Sequence, residues 1–152
     1  MIVYRLAKSK FCKDLSGYGA EVAGGRWNSK GIAVVYTSVS RALCTTEIAV
    51  HTPLGNIPED YNLVSIEIPN TNILKIEGAK LPKDWQTFPH PNSTQLIGDK
   101  FVAGAKYLAM RVPSVIVQGE YNYLLNPHHK DFKKVKISKT EKFIFDERLF
   151  VR

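Results

Sequence analysis

A glycine pair followed by an arginine, Gly24-Gly25-Arg26, is the first cluster in the sequence that could bind a charged ligand. Two glycines let the backbone approach a ligand closely, and the planar guanidinium group of Arg26 matches a phosphate or a carboxylate. The segment has neither the GxxxxGK[ST] nor the GxGxxG spacing, so it is not a P-loop or a Rossmann-type phosphate site. The alternative is a tight turn that carries a surface arginine and a packed Trp27.

Three further side chains could act together with such an arginine. Glu47 borders the apolar stripe of a predicted helix, where a carboxylate must be paired, hydrogen-bonded or turned towards a cleft. An exposed glutamate on a helix of shifted phase is the alternative. Tyr36 ends a predicted strand and offers a face for stacking on a flat ring, although core packing is the commoner role. Ser114 follows Pro113 at the start of a predicted strand and could donate or accept a hydrogen bond.

Other kinds of site are not supported by the sequence. The adjacent His128 and His129 face different ways in an extended segment and have no HExxH-type carboxylate beside them, so we predict no metal site. A serine triad is not supported because the chain has no GxSxG elbow. No zinc finger, RNP-type aromatic motif or clear helix-turn-helix is present, so we expect no direct binding of nucleic acid.

The elements that would position these residues are read from hydrophobic periodicity and turn residues. We predict strands over residues 2–6, 33–37, 61–69, 73–76, 114–118, 121–125, 133–137 and 142–145, and helices over residues 41–51 and 92–106. Runs of strands interrupted by two helices, without regular alternation, predict an α+β fold.

The two predicted helices have recognisable starts. Ser38 or Ser40 can cap the first helix, and Asn92 with Gln95 resembles a capping box for the second. One side of the first helix is predicted to carry Ala42, Leu43, Thr46, Ala49 and Val50. The strand over residues 61–69 alternates apolar and polar residues, which predicts that one of its faces is buried.

Length and composition limit the class of protein. The 152 residues, 44% hydrophobic and 23% charged, predict one folded domain spanning residues 1–152. No apolar run is long enough for a membrane span, and Arg5, Lys8 and Lys10 interrupt the region where a signal peptide would be apolar. Cys12 and Cys44 form no CxxC motif and no disulfide framework, so we expect a cytoplasmic protein without a membrane association.

The net charge of +7 is concentrated near the carboxyl end. Residues 128–142 contain six lysines and two acids, a local charge of +4. Such a surface could attract nucleic acid, an acidic protein or a phosphate-bearing small molecule. Without interleaved arginines or a stacking face, a solvated strand surface is the favoured interpretation.

Several segments, taken in order, resemble the RES-domain toxins of bacterial toxin-antitoxin systems. They are Gly24-Gly-Arg-Trp-Asn-Ser-Lys-Gly31, Val34-Val-Tyr-Thr-Ser38, residues 42–47, Gln95-Leu-Ile-Gly-Asp99, Val112-Pro-Ser114, Asn122-Tyr-Leu-Leu-Asn-Pro-His128 and Phe145-Asp-Glu-Arg-Leu149. The resemblance covers nearly the whole chain, although Cys44-Thr45-Thr46 is more polar than expected and Phe101 stands where tryptophan is frequent.

The resemblance implies a function and a set of site residues. The family's eponymous Arg, Glu and Ser match Arg26, Glu47 and Ser114, and its tyrosine matches Tyr36. It implies an ADP-ribosyltransferase-like fold of mixed, mostly antiparallel β-structure with flanking helices, and an NAD-consuming activity. It also implies a cognate antitoxin with a helix-turn-helix DNA-binding domain. From the matched segments we expect NAD to contact Arg26, Tyr36, Ser114, and also Lys30 and Asn126.

Cleavage of the nicotinamide-ribose bond of NAD suits these residue types. Glu47 would stabilise the positive charge that develops on the ribose, and Arg26 would hold the pyrophosphate. Tyr36 would stack on the nicotinamide or the ribose edge, and Ser114 would hold a ribose or amide group. NAD is then the substrate, no cofactor is required, and the acceptor is water, phosphate or a protein side chain.

Three other functions remain open from the sequence alone. The chain could transfer ADP-ribose to a protein target. It could be a basic nucleic-acid-binding or RNA-cleaving toxin that uses residues 128–142. It could also be a non-catalytic interaction domain in which Arg26 and Glu47 form a structural ion pair.

Overall fold

The computed structural model describes residues 1–151, which form seven strands and three α-helices. The elements are β1 (Ile2–Lys8), α1 (Tyr18–Ala23), β2 (Val35–Ser38), α2 (Arg41–His51), β3 (Tyr61–Glu67), β4 (Ile73–Lys75), α3 (Asn92–Gly104), β5 (Ala109–Pro113), β6 (Tyr121–Leu125) and β7 (Lys136–Phe143). Four short 3-10 helices lie at Ser9–Phe11, Gly78–Lys80, Lys130–Lys134 and Glu147–Leu149.

The strands form one sheet in the order β4-β5-β6-β2-β1-β3-β7. Only β4 and β5 run parallel, and the other neighbouring strands are antiparallel. The predicted α+β class with mixed, mostly antiparallel β-structure is therefore confirmed, and the strands share a single sheet.

At the centre of the sheet, β1 and β2 share fewer paired residues than any other two neighbouring strands. β1 and β2 are registered at one pair, Tyr4 with Ser38. By contrast, β1 pairs with β3 along its whole length, and β2 pairs with β6 through four residues. The short join leaves space beside β1 and β2, and the main cavity opens there.

Both faces of β3 are buried, so the predicted half-buried pattern is wrong. Leu63 belongs to a cluster with Leu6, Cys44 and Phe145, whereas Val64 belongs to a different cluster. Ser65 is also buried. The reason is position: β3 lies between β1 and β7, and separate groups of side chains cover its two faces.

Helix α2 has the predicted bounds, and the hydroxyl of Ser40 accepts a hydrogen bond from the N–H of Leu43 at 3.1 Å. The predicted apolar face is partly wrong, because Ala42 and Val50 are exposed while Leu43 and Cys44 are the buried residues. The fully buried residues of α2 therefore lie in its first turn and not along the whole predicted face.

Helix α3 begins at Asn92 as predicted, but it lacks the predicted capping box and ends earlier than residue 106. Its N-cap residue is Pro91, which has no side-chain acceptor, and the amide of Gln95 donates to the carbonyl oxygens of Gly25 and Asn28. It ends at Gly104, since Ala105 adopts a left-handed conformation with φ of 48°. The predicted capping box is therefore replaced by a contact with the glycine loop, defined here as residues 24–28.

The predicted strand over residues 114–118 is wrong. The strand is β5, which ends at Pro113, and Ser114 begins a turn in which its hydroxyl accepts the N–H groups of Ile116 and Val117, both at 3.1 Å. The prediction for residues 121–125 is confirmed as β6.

The predicted pair of strands over residues 133–137 and 142–145 is also wrong. Residues Lys130–Lys134 form a 3-10 helix that starts where the Asp131 N–H donates to Nδ1 of His129. A single strand, β7, follows and pairs continuously with β3 apart from one register shift at Ser65. Because β7 pairs with β3, the polar residues between 137 and 142 remain part of one strand and do not divide it into two.

Candidate active site

A cavity of about 640 Å³ lies where β1 and β2 separate. Its walls come from β1, β2, α2, the glycine loop, the segment 86–90, the turn after β5 and Asn122 of β6. A smaller cavity of about 320 Å³ adjoins it and shares Arg5, Gly24 and Tyr36 with it. Volumes of this size are typical of small-molecule sites.

Glu47 projects from α2 into this cavity. Its Oε1 accepts a hydrogen bond from Nδ2 of Asn122 at 2.8 Å and a longer one from the hydroxyl of Ser114 at 3.4 Å. Within residues 1–151 it forms no ion pair with Arg26. The carboxylate is thus held by neutral donors, which leaves its charge available to a ligand.

Ser114 lies behind Glu47 and outside the cavity wall. It is buried, and its hydroxyl also accepts the two N–H groups of the turn after β5. The structure therefore brings Ser114 to Glu47 but not to the cavity surface.

Arg26 organises the segment that forms one wall of the cavity. Its Nη1 donates to the carbonyl oxygens of Trp85 and Thr87 at 2.7 and 2.9 Å. Among residues 1–151 its other guanidinium nitrogens have no hydrogen-bond partner. Burial lowers the pKa of Arg26, and the nearby Glu47 and Tyr36 act in the opposite direction. Because arginine stays protonated in proteins, Arg26 keeps a positive charge and free donors in the cavity.

Tyr36 holds the glycine loop from β2. Its hydroxyl donates to Oδ1 of Asn28 at 2.7 Å and accepts the N–H of Trp27 at 3.0 Å. Burial raises the pKa of Tyr36, so the phenol stays protonated at neutral pH. The ring lines the cavity, while the hydroxyl is committed to the loop.

Arg5 of β1 is a site residue that the sequence interpretation missed. It lines both cavities, and its Nη1 donates to the carbonyl oxygen of Asp14. Burial lowers its pKa, with Asp14 and Cys12 opposing that effect. No carboxylate of the described chain lies within ion-pair distance of Arg5. The sequence of residues 2–8 contains no pattern that would indicate that Arg5 faces a cavity.

Comparison with known proteins shows the family of this chain. The RES domain family matches residues 2–146. The chain belongs to the RES domain family. It is 38% identical over 146 residues to the Prs ADP-ribosylating toxin of Sphingobium sp. (strain YBL2), covering 94% of this chain and 91% of that one. It is 36% identical over 151 residues to Toxin Res of Yersinia enterocolitica, covering 98% of this chain and 99% of the relative.

One solved structure shares the fold of this RES domain. It is the crystal structure of the M. tuberculosis MbcT-MbcA toxin-antitoxin complex, with a TM-score of 0.75 and 18% sequence identity. The match covers 98% of this chain and 86% of that chain. A likeness at this low identity establishes the common fold.

Two residues expected to contact NAD lie away from the cavity of this RES domain. Lys30 is exposed and does not line the wall. Asn126 is fully buried, where its Nδ2 donates to the carbonyl oxygen of Val102 and its Oδ1 accepts the N–H of His128. Both ends of the Asn126 amide therefore have protein partners, one of which links the end of β6 to α3.

Two histidines of the RES domain line the cavity instead. His51 ends α2, and His90 belongs to the segment over residues 86–90. Burial lowers the pKa of His90, and Coulombic interactions with Arg26 and His51 lower it further. These effects favour the uncharged imidazole, whose buried Nδ1 has no partner within the described chain.

Residues 1–151 contain no group of three His, Cys, Asp or Glu side chains placed to hold a metal ion. No helix there has the length and apolar character needed to cross a bilayer.

Proposed function

We propose that this protein is the toxin of a toxin-antitoxin system and cleaves NAD at the nicotinamide-ribose bond. The observation that carries the proposal is the placement of Glu47, whose carboxylate reaches a cavity that also contains the two arginines Arg5 and Arg26. An anion for the reacting ribose and cations for a pyrophosphate are the two charges that NAD cleavage requires.

The arginines suit the pyrophosphate. Each retains guanidinium N–H groups that no acceptor among residues 1–151 uses, and no carboxylate of those residues lies within ion-pair distance of either arginine. A planar guanidinium donates two parallel hydrogen bonds to a phosphate, which fixes its orientation as well as its charge. Arg26 has a second task, since it also positions the segment containing Trp85 and Thr87.

The carboxylate suits the bond that breaks. When the C–N bond to the ribose lengthens, the electron pair leaves with nicotinamide and positive charge develops on the ribose. A fixed anion next to that charge lowers the barrier, as in glycoside cleavage. An acceptor then bonds to the ribose carbon and loses its proton. Glu47 supplies the anion, and the surrounding residues supply position.

The roles proposed for Tyr36 and Ser114 follow from their contacts. The Tyr36 ring forms part of the wall against which a flat ring can stack, while its hydroxyl maintains the glycine loop. Ser114 acts on the carboxylate, since its hydroxyl contacts Glu47 and it does not line the cavity. In this proposal NAD is a substrate, and no cofactor is needed.

A cognate antitoxin is the proposed partner. Relatives that share more than a third of their residues with this chain are named as toxins, and the structural neighbour is a toxin-antitoxin complex. We propose that the antitoxin carries a helix-turn-helix DNA-binding domain and that the toxin acts in the cytoplasm, where it meets NAD.

Transfer of ADP-ribose to a protein is a second candidate function. It is favoured by the relative named Prs ADP-ribosylating toxin. Both functions break the same bond and use the same cavity, so they differ only in the acceptor. The lysines of residues 128–142, on which an RNA-directed activity would depend, do not line this cavity.

The decisive experiment uses the purified chain, freed of antitoxin, with NAD in phosphate-free buffer. We expect release of nicotinamide and loss of NAD in equal amounts, and much slower release by Glu47→Gln. Adding phosphate and then candidate protein acceptors, with NAD labelled in the adenylate, identifies where the ADP-ribosyl group goes. Absence of nicotinamide release under all these conditions would refute the proposed function.

A further inference from the structure

Ser38, Asn122 and Glu47 form a hydrogen-bonded series that ends at one carboxylate oxygen. The hydroxyl of Ser38 donates to Oδ1 of Asn122 at 2.8 Å. Nδ2 of the same amide donates to Oε1 of Glu47 at 2.8 Å. Neither Ser38 nor Asn122 has a role in the function proposed above.

The direction of these hydrogen bonds follows from the chemistry of the groups. An ionised carboxylate can only accept, so the NH₂ end of the Asn122 amide must face Glu47. The carbonyl end then faces Ser38, whose hydroxyl is able to donate. The Ser38 hydroxyl thus opposes rotation of the amide, which would otherwise turn an oxygen towards the carboxylate.

The sheet fixes the first two members of the series. Ser38 and Asn122 are directly opposite each other in the register of β2 and β6. Asn122 is also paired with Val112 of β5, so its backbone is held from both sides. Glu47 comes from a helix, and a long side chain there has several rotamers. A donor on a rigid sheet is suited to select one of them.

The two oxygens of Glu47 are left in different states. Oε1 accepts from both Asn122 and Ser114. No hydrogen bond from residues 1–151 reaches Oε2. Oε1 is therefore held by two hydrogen bonds, whereas Oε2 remains available to a substrate in the cavity.

We infer that Asn122, oriented by Ser38, is a positioning residue that directs Oε2 of Glu47 towards the ribose of the substrate. This inference rests on the proposed function. The other ionisable side chains that line the same cavity come from β1, the glycine loop, β2, α2 and the segment 86–90; they are Tyr4, Arg5, Arg26, Tyr36, Cys44, His51 and His90. None of them donates a hydrogen bond to Glu47.

The inference is tested with Asn122→Ala, Asn122→Asp and Ser38→Ala. We expect the alanine at 122 to lower kcat by up to about 100-fold, the effect that a misplacement of about 1 Å can have, with little change in KM. The aspartate keeps the shape but places a second anion beside Glu47, so its kcat should be lower still. Ser38→Ala should cause a smaller loss, because the amide remains and only its orientation is freed.

The pH dependence separates positioning from a general loss of structure. Removal of a donor that favours the ionised carboxylate should move the acidic limb of the kcat/KM profile to higher pH in Asn122→Ala. Ser138→Ala is the matched control, because it removes a side-chain hydrogen bond to Ser65 between β7 and β3, and neither serine lines the cavity. That control should leave both kcat and the pH profile unchanged.

A readout without turnover makes the result independent of the proposed function. In a ¹H–¹⁵N spectrum the side-chain NH₂ signals of Asn122 should shift in both Glu47→Gln and Ser38→Ala. If those signals do not respond, or if Asn122→Ala retains the wild-type kcat and pH profile, the inference is wrong. If the wild type releases no nicotinamide while the signals respond, the proposed function has failed and the hydrogen-bonded series stands.

Discussion

The hydroxyl of Tyr36 and the side-chain oxygen of Asn28 are joined by a hydrogen bond of 2.7 Å that ties β2 to the glycine loop. The same hydroxyl accepts the N–H of Trp27. A Cβ atom on Gly25 would lie 2.8 Å from this hydroxyl, so the loop backbone passes directly against the tyrosine. The position of Arg26 in the cavity therefore depends on a side chain ten residues further along the chain.

Tyr36→Phe should weaken both the fold and the activity. Removal of the hydroxyl leaves the N–H of Trp27 and the Oδ1 of Asn28 without their partner, which costs about 1–3 kcal/mol for a buried group. The melting temperature and the rate of nicotinamide release should both fall. Tyr18→Phe is the control, because Tyr18 is exposed and should tolerate the change. Wild-type stability and turnover in Tyr36→Phe would contradict the role assigned to the hydroxyl.

Gly98→Ala should be among the most damaging small substitutions in the chain. A Cβ atom at this position of α3 would lie 1.6 Å from the carbonyl oxygen of Trp27, so helix and loop must separate. Overpacking of this kind costs about 1–3 kcal/mol and sometimes more. Gly104→Ala, at the end of the same helix, meets no atom within 4 Å and serves as the control. Thermal unfolding of the two variants compares them, and equal melting temperatures would be the contrary result.

Arg26→Ala should abolish NAD loss and toxicity while the chain still folds. The substitution removes a positive charge from the cavity and both hydrogen bonds to the segment of Trp85 and Thr87. That segment should become more accessible to trypsin at Lys83, which is exposed. Nicotinamide release and limited proteolysis measure the two effects. Near-normal turnover would show that Arg26 does not have the role proposed for it.

Glu47→Gln should reduce kcat far more than it raises KM. The amide keeps the size and much of the hydrogen bonding of the carboxylate, but it lacks the charge that stabilises a cationic ribose. Steady-state kinetics of nicotinamide release measure both constants. Glu59→Gln, on the exposed surface, should behave as the wild type. A raised KM at unchanged kcat would instead make Glu47 a ground-state binding group.

The triple variant Lys133→Gln, Lys134→Gln and Lys136→Gln should retain NAD cleavage. The first two lysines lie in a 3-10 helix and the third begins β7, and none lines the cavity. Lys134 also forms an ion pair with Asp131 at 3.2 Å, but the lysine is exposed, so loss of this pair should have little effect on stability. Partner binding and its salt dependence should weaken. Activity lost only at low salt would indicate steering of the substrate, and activity lost at all salt concentrations would place these lysines in the site.

Local sequence determined the elements whose signals lie within a few residues. The bounds of α2 and its cap at Ser40 follow from the apolar spacing and a serine before the helix. Strand β6 follows from a run of aromatic and apolar residues between turn signals. The glycine pair, Arg26, Glu47 and Tyr36 were visible as candidates because their residue types are unusual for their local settings.

Tertiary structure decided which side chains meet. Ser38 and Asn122 are 84 residues apart and become neighbours only through the pairing of β2 with β6. Arg5 became a site residue because β1 and β2 join at a single pair and leave a cavity beside it. The amide of Asn126 was directed into the core by the packing of β6 against α3. Helix and strand propensities are properties of short segments, whereas strand order, register and the covering of each face depend on long-range burial and pairing, which no local pattern encodes.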